Sequence, residues 1–232
     1  HLDDCKPVDN GKKLLCTSSY NWCVLLDIAT KEVLFHTTAT PNAHSAELLP
    51  GNRIVVACSG GESSGNNSIQ LYDISQPNRI LYQSALGSAP GVVWNETTQR
   101  LYAIGGQSLQ IYKLKDWETA APSLELEKTV QTPQGGLHDM SYVNSNTLCI
   151  GGRRAYLYDI GANRFTEMML FSASTAIKSI NYNDETGELW YTDSTNPEGS
   201  QSWSTQTIRY STDKDASTET RTIKVPDLDV YK

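Results

Sequence analysis

At 232 residues the chain has room for one large domain or two small ones, and it carries 19 Lys and Arg against 26 Asp and Glu, a formal charge of −7. That balance argues against nucleic acid or an anionic membrane as partner, because such binding rests on basic surface that displaces counterions. No apolar run approaches the roughly 18–20 residues needed to span a bilayer, so a soluble chain with no membrane span is expected.

Taken in order, the chain reads as one small unit written five times. Residues 3–9 are too polar and too short to make a good strand. The first unit, 11–38, therefore begins at its second strand, with Val24-Leu25-Leu26-Asp27-Ile28 as the third. The second unit, 39–85, has a strand at 44–48, a turn at Pro50-Gly51-Asn52, a strand at 53–57 and the strand Ile69-Gln70-Leu71-Tyr72-Asp73-Ile74. The third unit, 86–133, is complete: strands at 91–94, 100–104, 109–114 and 124–130, separated by Asn95-Glu96-Thr97-Thr98-Gln99 and by Gly105-Gly106. The fourth, 134–173, has strands at 138–142 and 147–150, followed by Ala155-Tyr156-Leu157-Tyr158-Asp159-Ile160. The fifth, 174–225, has strands at 178–182, 188–191, 207–211 and 219–225.

Alternating apolar and polar residues between clusters of Gly, Asn, Asp and Ser are the mark of half-buried antiparallel strands, and no segment carries a helical apolar stripe. Taking Ile28, Ile74, Leu114, Ile160 and Ser211 as equivalent gives a period of roughly 40–50 residues, the range of propeller blades. The fold expected is all-β: a single domain over 1–232, a five-bladed β-propeller of four-stranded antiparallel blades. Its first blade (11–38) lacks an inner strand, and the leftover tail 226–232 is expected to supply it, closing the ring and removing an exposed sheet edge. Trp94 and Trp190 sit at apolar strand positions and are expected in the core.

The recurring Tyr-Asp-Ile strand and its period resemble the WD40-like and YVTN-like β-propellers, without the Gly-His and Trp-Asp signatures of true WD40 repeats. The count of five resembles the small propellers found among glycan-binding lectins and glycan-degrading enzymes. The resemblance implies a central channel with ligands at one end; it implies no particular chemistry.

In such a fold the residues that open each inner strand ring the channel mouth, which places His44, Pro90, His138 and Lys178 at equivalent positions, with Asp139 next to His138. Tyr20, Trp22, Arg153, Arg154 and Trp203 lie on loops expected on the same face. Aromatic rings beside imidazole, carboxylate and guanidinium groups suit sugars, and the basic members would attract a carboxylate or sulfate, Arg by two parallel bonds. The function expected is non-catalytic binding of a carbohydrate or other polar, anionic ligand by an exported monomer. The alternatives are a polysaccharide lyase or glycoside hydrolase using the same site, and a protein-interaction scaffold.

The inner-strand carboxyl candidates for a glycosidase are Glu47, Asp139, Asp227 and Asp229, but no pair of them can be placed at the required spacing; no nucleotide or hydrolase motif occurs, and no residues stand at metal-ligand spacing, so neither cofactor nor metal is expected. The five cysteines (Cys5, Cys16, Cys23, Cys58, Cys149) are scattered, and most read as buried strand residues; Cys16 and Cys23 flank a hairpin and could approach one another. Export is expected from a surface rich in Ser, Thr, Asn and Gln, from the sequons at Asn66 and Asn95, and from a start at His1 that suggests a processed chain.

Overall fold

The protein is described by a computed structural model over residues 2–60, 67–168, 176–193, 204–205, 207–212, 221–224 and 230–231, with the backbone alone at 204–205, 207, 221–224 and 230–231. Among these residues there is no helix, and hence no helix long and apolar enough to cross a membrane. Twenty of the strands form five antiparallel sheets of four. The fold class is that of a five-bladed β-propeller.

The chain divides into two compact units, His1–Gln131 and Thr132–Lys232. The first holds three blades. They are β1 (Asp4–Val8), β2 (Lys13–Ser18), β3 (Trp22–Asp27) and β4 (Val33–Thr37); then β5 (Ala43–Leu49), β6 (Arg53–Cys58), β7 (Ser68–Asp73) and β8 (Ile80–Ala85); then β9 (Gly91–Asn95), β10 (Arg100–Gly105), β11 (Ser108–Lys115) and β12 (Ser123–Gln131). The second holds β13 (Asp139–Asn144), β14 (Thr147–Gly151), β15 (Ala155–Asp159) and β16 (Arg164–Met168), then β17 (Ile177–Asn183), β18 (Glu188–Asp193), β20 (Thr207–Ser211) and β21 (Arg221–Lys224). A short pair, β19 (Ser204–Thr205) with β22 (Val230–Tyr231), stands apart from these sheets.

The repeated Tyr-Asp signature has a structural cause. Tyr72, Tyr112 and Tyr158 are all but completely buried, each with its hydroxyl on a nearby side-chain amide oxygen: Gln70, Gln110 and Asn163. A buried phenol needs such a partner. The aspartate that follows the apolar pair turns the chain. Asp27 accepts from the Thr30 amide at 2.8 Å, Asp73 from the Ser75 amide at 2.8 Å, and Asp159 from the Ala162 amide at 2.8 Å. These amide bonds at Asp27 and Asp159, and at Asp73 chiefly the Ser75 hydroxyl, hold all three carboxyls below the usual carboxylate range. Between blades the packing is apolar. Ile69, Leu71, Val92, Leu101 and Ala103 fill the layer between the second and third blades; Cys149, Ile177, Ile180 and Leu189 do so between the fourth and fifth.

Two expectations fail. The first blade takes its first strand from the chain's start: β1 pairs with β2 in register from Asp4↔Thr17 to Val8↔Lys13, while Val230–Tyr231 pairs with Ser204–Thr205. The polarity that made 3–9 look like a loop reflects side chains with partners of their own, described below. Trp190 is 38% exposed, between buried Leu189 and Tyr191 on β18, and lies against Tyr210 with ring centroids 4.3 Å apart. Its apolar neighbours hid the alternation that turns it outward. Trp94 does pack against the core.

Candidate functional site

In each unit the first strands of successive blades lie side by side: β1 beside β5 and β5 beside β9 in the first unit, β13 beside β17 in the second. Polar residues at these positions therefore meet across blades. Two such groups form, one per unit.

In the first unit the group is built on β1. Lys6 donates to the Ser45 hydroxyl at 2.9 Å and to the Val92 carbonyl at 2.7 Å, so one ammonium ties β1, β5 and β9 together. Ser45 in turn donates to Asp4 at 2.8 Å. The Asp4 and Glu47 carboxylates stand 3.5 and 3.9 Å from the Lys6 ammonium. Burial pushes the Glu47 carboxyl up, against the opposing pull of Lys6 and the amides of Trp94 and Leu48. Glu47 is one of the inner-strand carboxyl candidates; Asp4 and Lys6 were not expected at the site, although their every-other-residue spacing is itself a strand signal.

At the start of β5 the register skips from Ala43↔Cys58 to Ser45↔Ala57, leaving His44 on a bulge. Such an extra residue re-aims a side chain. His44 Nδ1 lies 3.9 Å from Asp3, whose other carboxylate oxygen accepts the Ser19 amide. Asn21 accepts the Asn42 amide at 2.8 Å. Asp3 thus brings His44 to the loop that bears Tyr20, 64% exposed, with Trp22 half-buried at its end.

The second unit repeats the bulge: β17 skips from Ile177↔Asp193 to Ser179↔Thr192, leaving Lys178 extra. Lys178 Nζ stands 3.0 Å from His138 Nε2. Burial holds the Lys178 ammonium below the ordinary lysine range. Asp139, nearly buried, accepts the Ile180 amide at 2.8 Å, which ties β13 to β17.

Glycines let three segments meet here. The Gly152 carbonyl accepts the Ile177 amide at 2.6 Å, and a Cβ on Gly152 would lie 2.8 Å from the Gly136 carbonyl oxygen. Arg153 passes over Gly136, where a Cβ would stand 3.5 Å from its Nε, two residues before His138. Arg154 is spent on an ion pair with Glu167 and on the Gln134 amide that reaches its carbonyl. Sequence reading missed Arg209, which holds the buried Asp193 at 2.7 Å opposite the start of β17; nothing local marks a strand arginine as belonging to the end of its neighbour. Trp203 lies outside the described residues, as do Asp227 and Asp229.

The second unit thus brings the His138 imidazole and the Lys178 ammonium together at one end of two strands, with Arg153 over Gly136 on the segment that leads to His138. Among the described residues no carboxylate lies within ion-pair reach of Lys178, and none of the His, Cys, Asp and Glu side chains group as metal ligands would. No curated protein matches the chain. A family model, DUF6528, a family of unknown function, matches residues 2–195, and the chain belongs to that family.

Proposed function

We propose that this propeller binds a polar, anionic ligand at the start of its inner strands, with an acidic sugar as the class that suits the site. The observation that carries the reading is the His138–Lys178 pair at 3.0 Å on a bulge, with Arg153 against Gly136 two residues before His138 and no carboxylate to neutralise the lysine among the described residues. An anion arriving there would restore to Lys178 the solvation that burial removes, and Arg153 would grip it through two nitrogens. Export of the chain belongs to the same proposal: sugars of this kind are met outside the cell, and the Ser, Thr, Asn and Gln content suits an extracellular surface.

The test is titration with uronate-containing and neutral oligosaccharides of equal length. Tighter binding of the uronate series, weakened by salt and reduced at least tenfold in His138→Ala/Lys178→Ala, is the expected result. Equal binding of both series, or binding unaffected by the double change, overturns it. A second reading, cleavage of the same ligand by β-elimination, is favoured by the depressed Lys178 ammonium, which makes a better base than an ordinary lysine. Ultraviolet absorbance from an unsaturated uronate product would establish that reading, and its absence supports binding alone.

A further inference from the structure

Cys5 and Cys16 were not expected to meet. They are direct partners across the β1–β2 ladder, with Cys5 exposed and Cys16 buried. Opposed residues of an antiparallel pair have Cα atoms about 4.5–5.5 Å apart, inside the window of about 4.4–6.8 Å that a disulfide spans. Their sulfurs stand 2.7 Å apart, so no backbone movement separates the two thiols from a bond. The expected neighbour of Cys16, Cys23, is instead opposite Thr17, its thiol wholly buried.

We infer that Cys5 and Cys16 form a redox clasp: on exposure to a low-molecular-weight disulfide they become a cross-strand disulfide that fastens β1 to β2. The exchange proceeds in two displacements. The Cys5 thiolate attacks one sulfur of the oxidised small disulfide, forming a mixed disulfide and expelling one small thiolate. Cys16 then attacks the Cys5 sulfur, forming the Cys5–Cys16 bond and expelling the second. The two protons lost from the cysteines end on the two expelled thiolates, and two electrons pass from the protein to the small disulfide. Exposure makes Cys5 the attacking sulfur, and the hydrogen bond it shares with Cys16 holds its thiol below the ordinary range. That same bond, with burial, pushes the Cys16 thiol up, so Cys16 reacts only after Cys5 has been capped and the bond is gone.

The clasp has a place to act. β1 is the strand that carries Asp4 and Lys6, and through them holds Ser45 and the Val92 carbonyl on the two neighbouring blades. Before oxidation this strand is an edge held by its ladder to β2, by that cluster and by Val8 in the apolar core. Afterwards it cannot peel from β2.

The experiment uses the whole chain, reduced and then incubated with oxidised glutathione, alkylated without reduction and digested. Cleavage after Lys12 and Lys13 puts Cys5 and Cys16 in separate peptides, and fragmentation separates Cys16 from Cys23 on the second. The expected product is one linked pair, Cys5 with Cys16, released by dithiothreitol, with a melting temperature about 5–10 °C above that of the reduced protein. The Cys16→Ser chain should stop at the first displacement and retain glutathione on Cys5. Free thiols throughout, glutathione left on Cys5 of the unaltered chain, a link through Cys23, or a linked protein that melts with the reduced one would each overturn the inference.

Discussion

The two polar groups on the inner strands use the same elements to opposite ends. In the first unit Lys6 is saturated: two carboxylates, a hydroxyl and a carbonyl surround it, drawn from three blades. In the second, Lys178 meets an imidazole, and the nearby carboxylates of Asp139 and Asp193 face a backbone amide and Arg209. The first group closes on itself and acts as a fastening between strands. In the second, no carboxylate among the described residues stands within ion-pair reach of Lys178. A lysine at an inner strand is thus no sign of function until the carboxylates around it have been traced.

That contrast can be broken at several points. The largest effect belongs to Lys6→Met, which strands Asp4 and Glu47 without their cation; the expected loss is about 3–5 kcal/mol in denaturant unfolding, and an unchanged midpoint would show the cluster to be ornamental. Gly152→Ala should come next, at about 1–3 kcal/mol, because its Cβ would meet the Gly136 carbonyl oxygen at 2.8 Å and backbone must shift. It should also weaken anion binding, since the segments it parts carry His138, Arg153 and Lys178.

The pH dependence sharpens the comparison further. A carboxyl raised on folding contributes stability below its unfolded pKa and loses it as pH rises through the folded value, so Glu47→Gln should gain on the unaltered protein as pH climbs above about 4.3. The opposite ordering across that range would mean Lys6 outweighs burial. Lys178 has the reverse sign: a lysine depressed on folding costs stability while charged, and the cost fades as pH rises through its folded pKa toward about 10.4. Anion binding should fade over the same rise, as the ammonium gives up its proton.

The smallest stability effects should come from the proposed receptor itself. His138→Ala/Lys178→Ala is expected to change stability by less than about 0.5 kcal/mol, because neither side chain fills the apolar layer. Arg154→Ala should leave both melting and binding unchanged, its charge being already matched by Glu167 on an exposed hairpin. If Arg154→Ala reduced anion binding as much as the double change, the assignment of roles between Arg153 and Arg154 would be reversed.

The strand pattern was legible because it depends on local alternation: the third unit's strands at 91–94, 100–104, 109–114 and 124–130 reappear as Gly91–Asn95, Arg100–Gly105, Ser108–Lys115 and Ser123–Gln131. Residues 3–9 were misread for the converse reason. Asp4 and Lys6 look like loop residues until Ser45, Glu47 and the Val92 carbonyl, 39 to 86 residues away, are beside them. The pairing of His138 with Lys178 could be anticipated because both open an inner strand; the diversion of Asp139 to the Ile180 amide could not, since it depends on which way one carboxylate turns.

By itself, then, the amino-acid order determines the blades: period-two apolar residues, a buried tyrosine and an aspartate that turns the chain recur at a spacing short enough for each sheet to form from consecutive residues. Tertiary structure alone decides which strand completes the first blade, which cysteine faces Cys5, and which lysine is neutralised. Those outcomes depend on side chains that approach from separate blades, and the free energy of a charge or a thiol is set by whatever surrounds it in space.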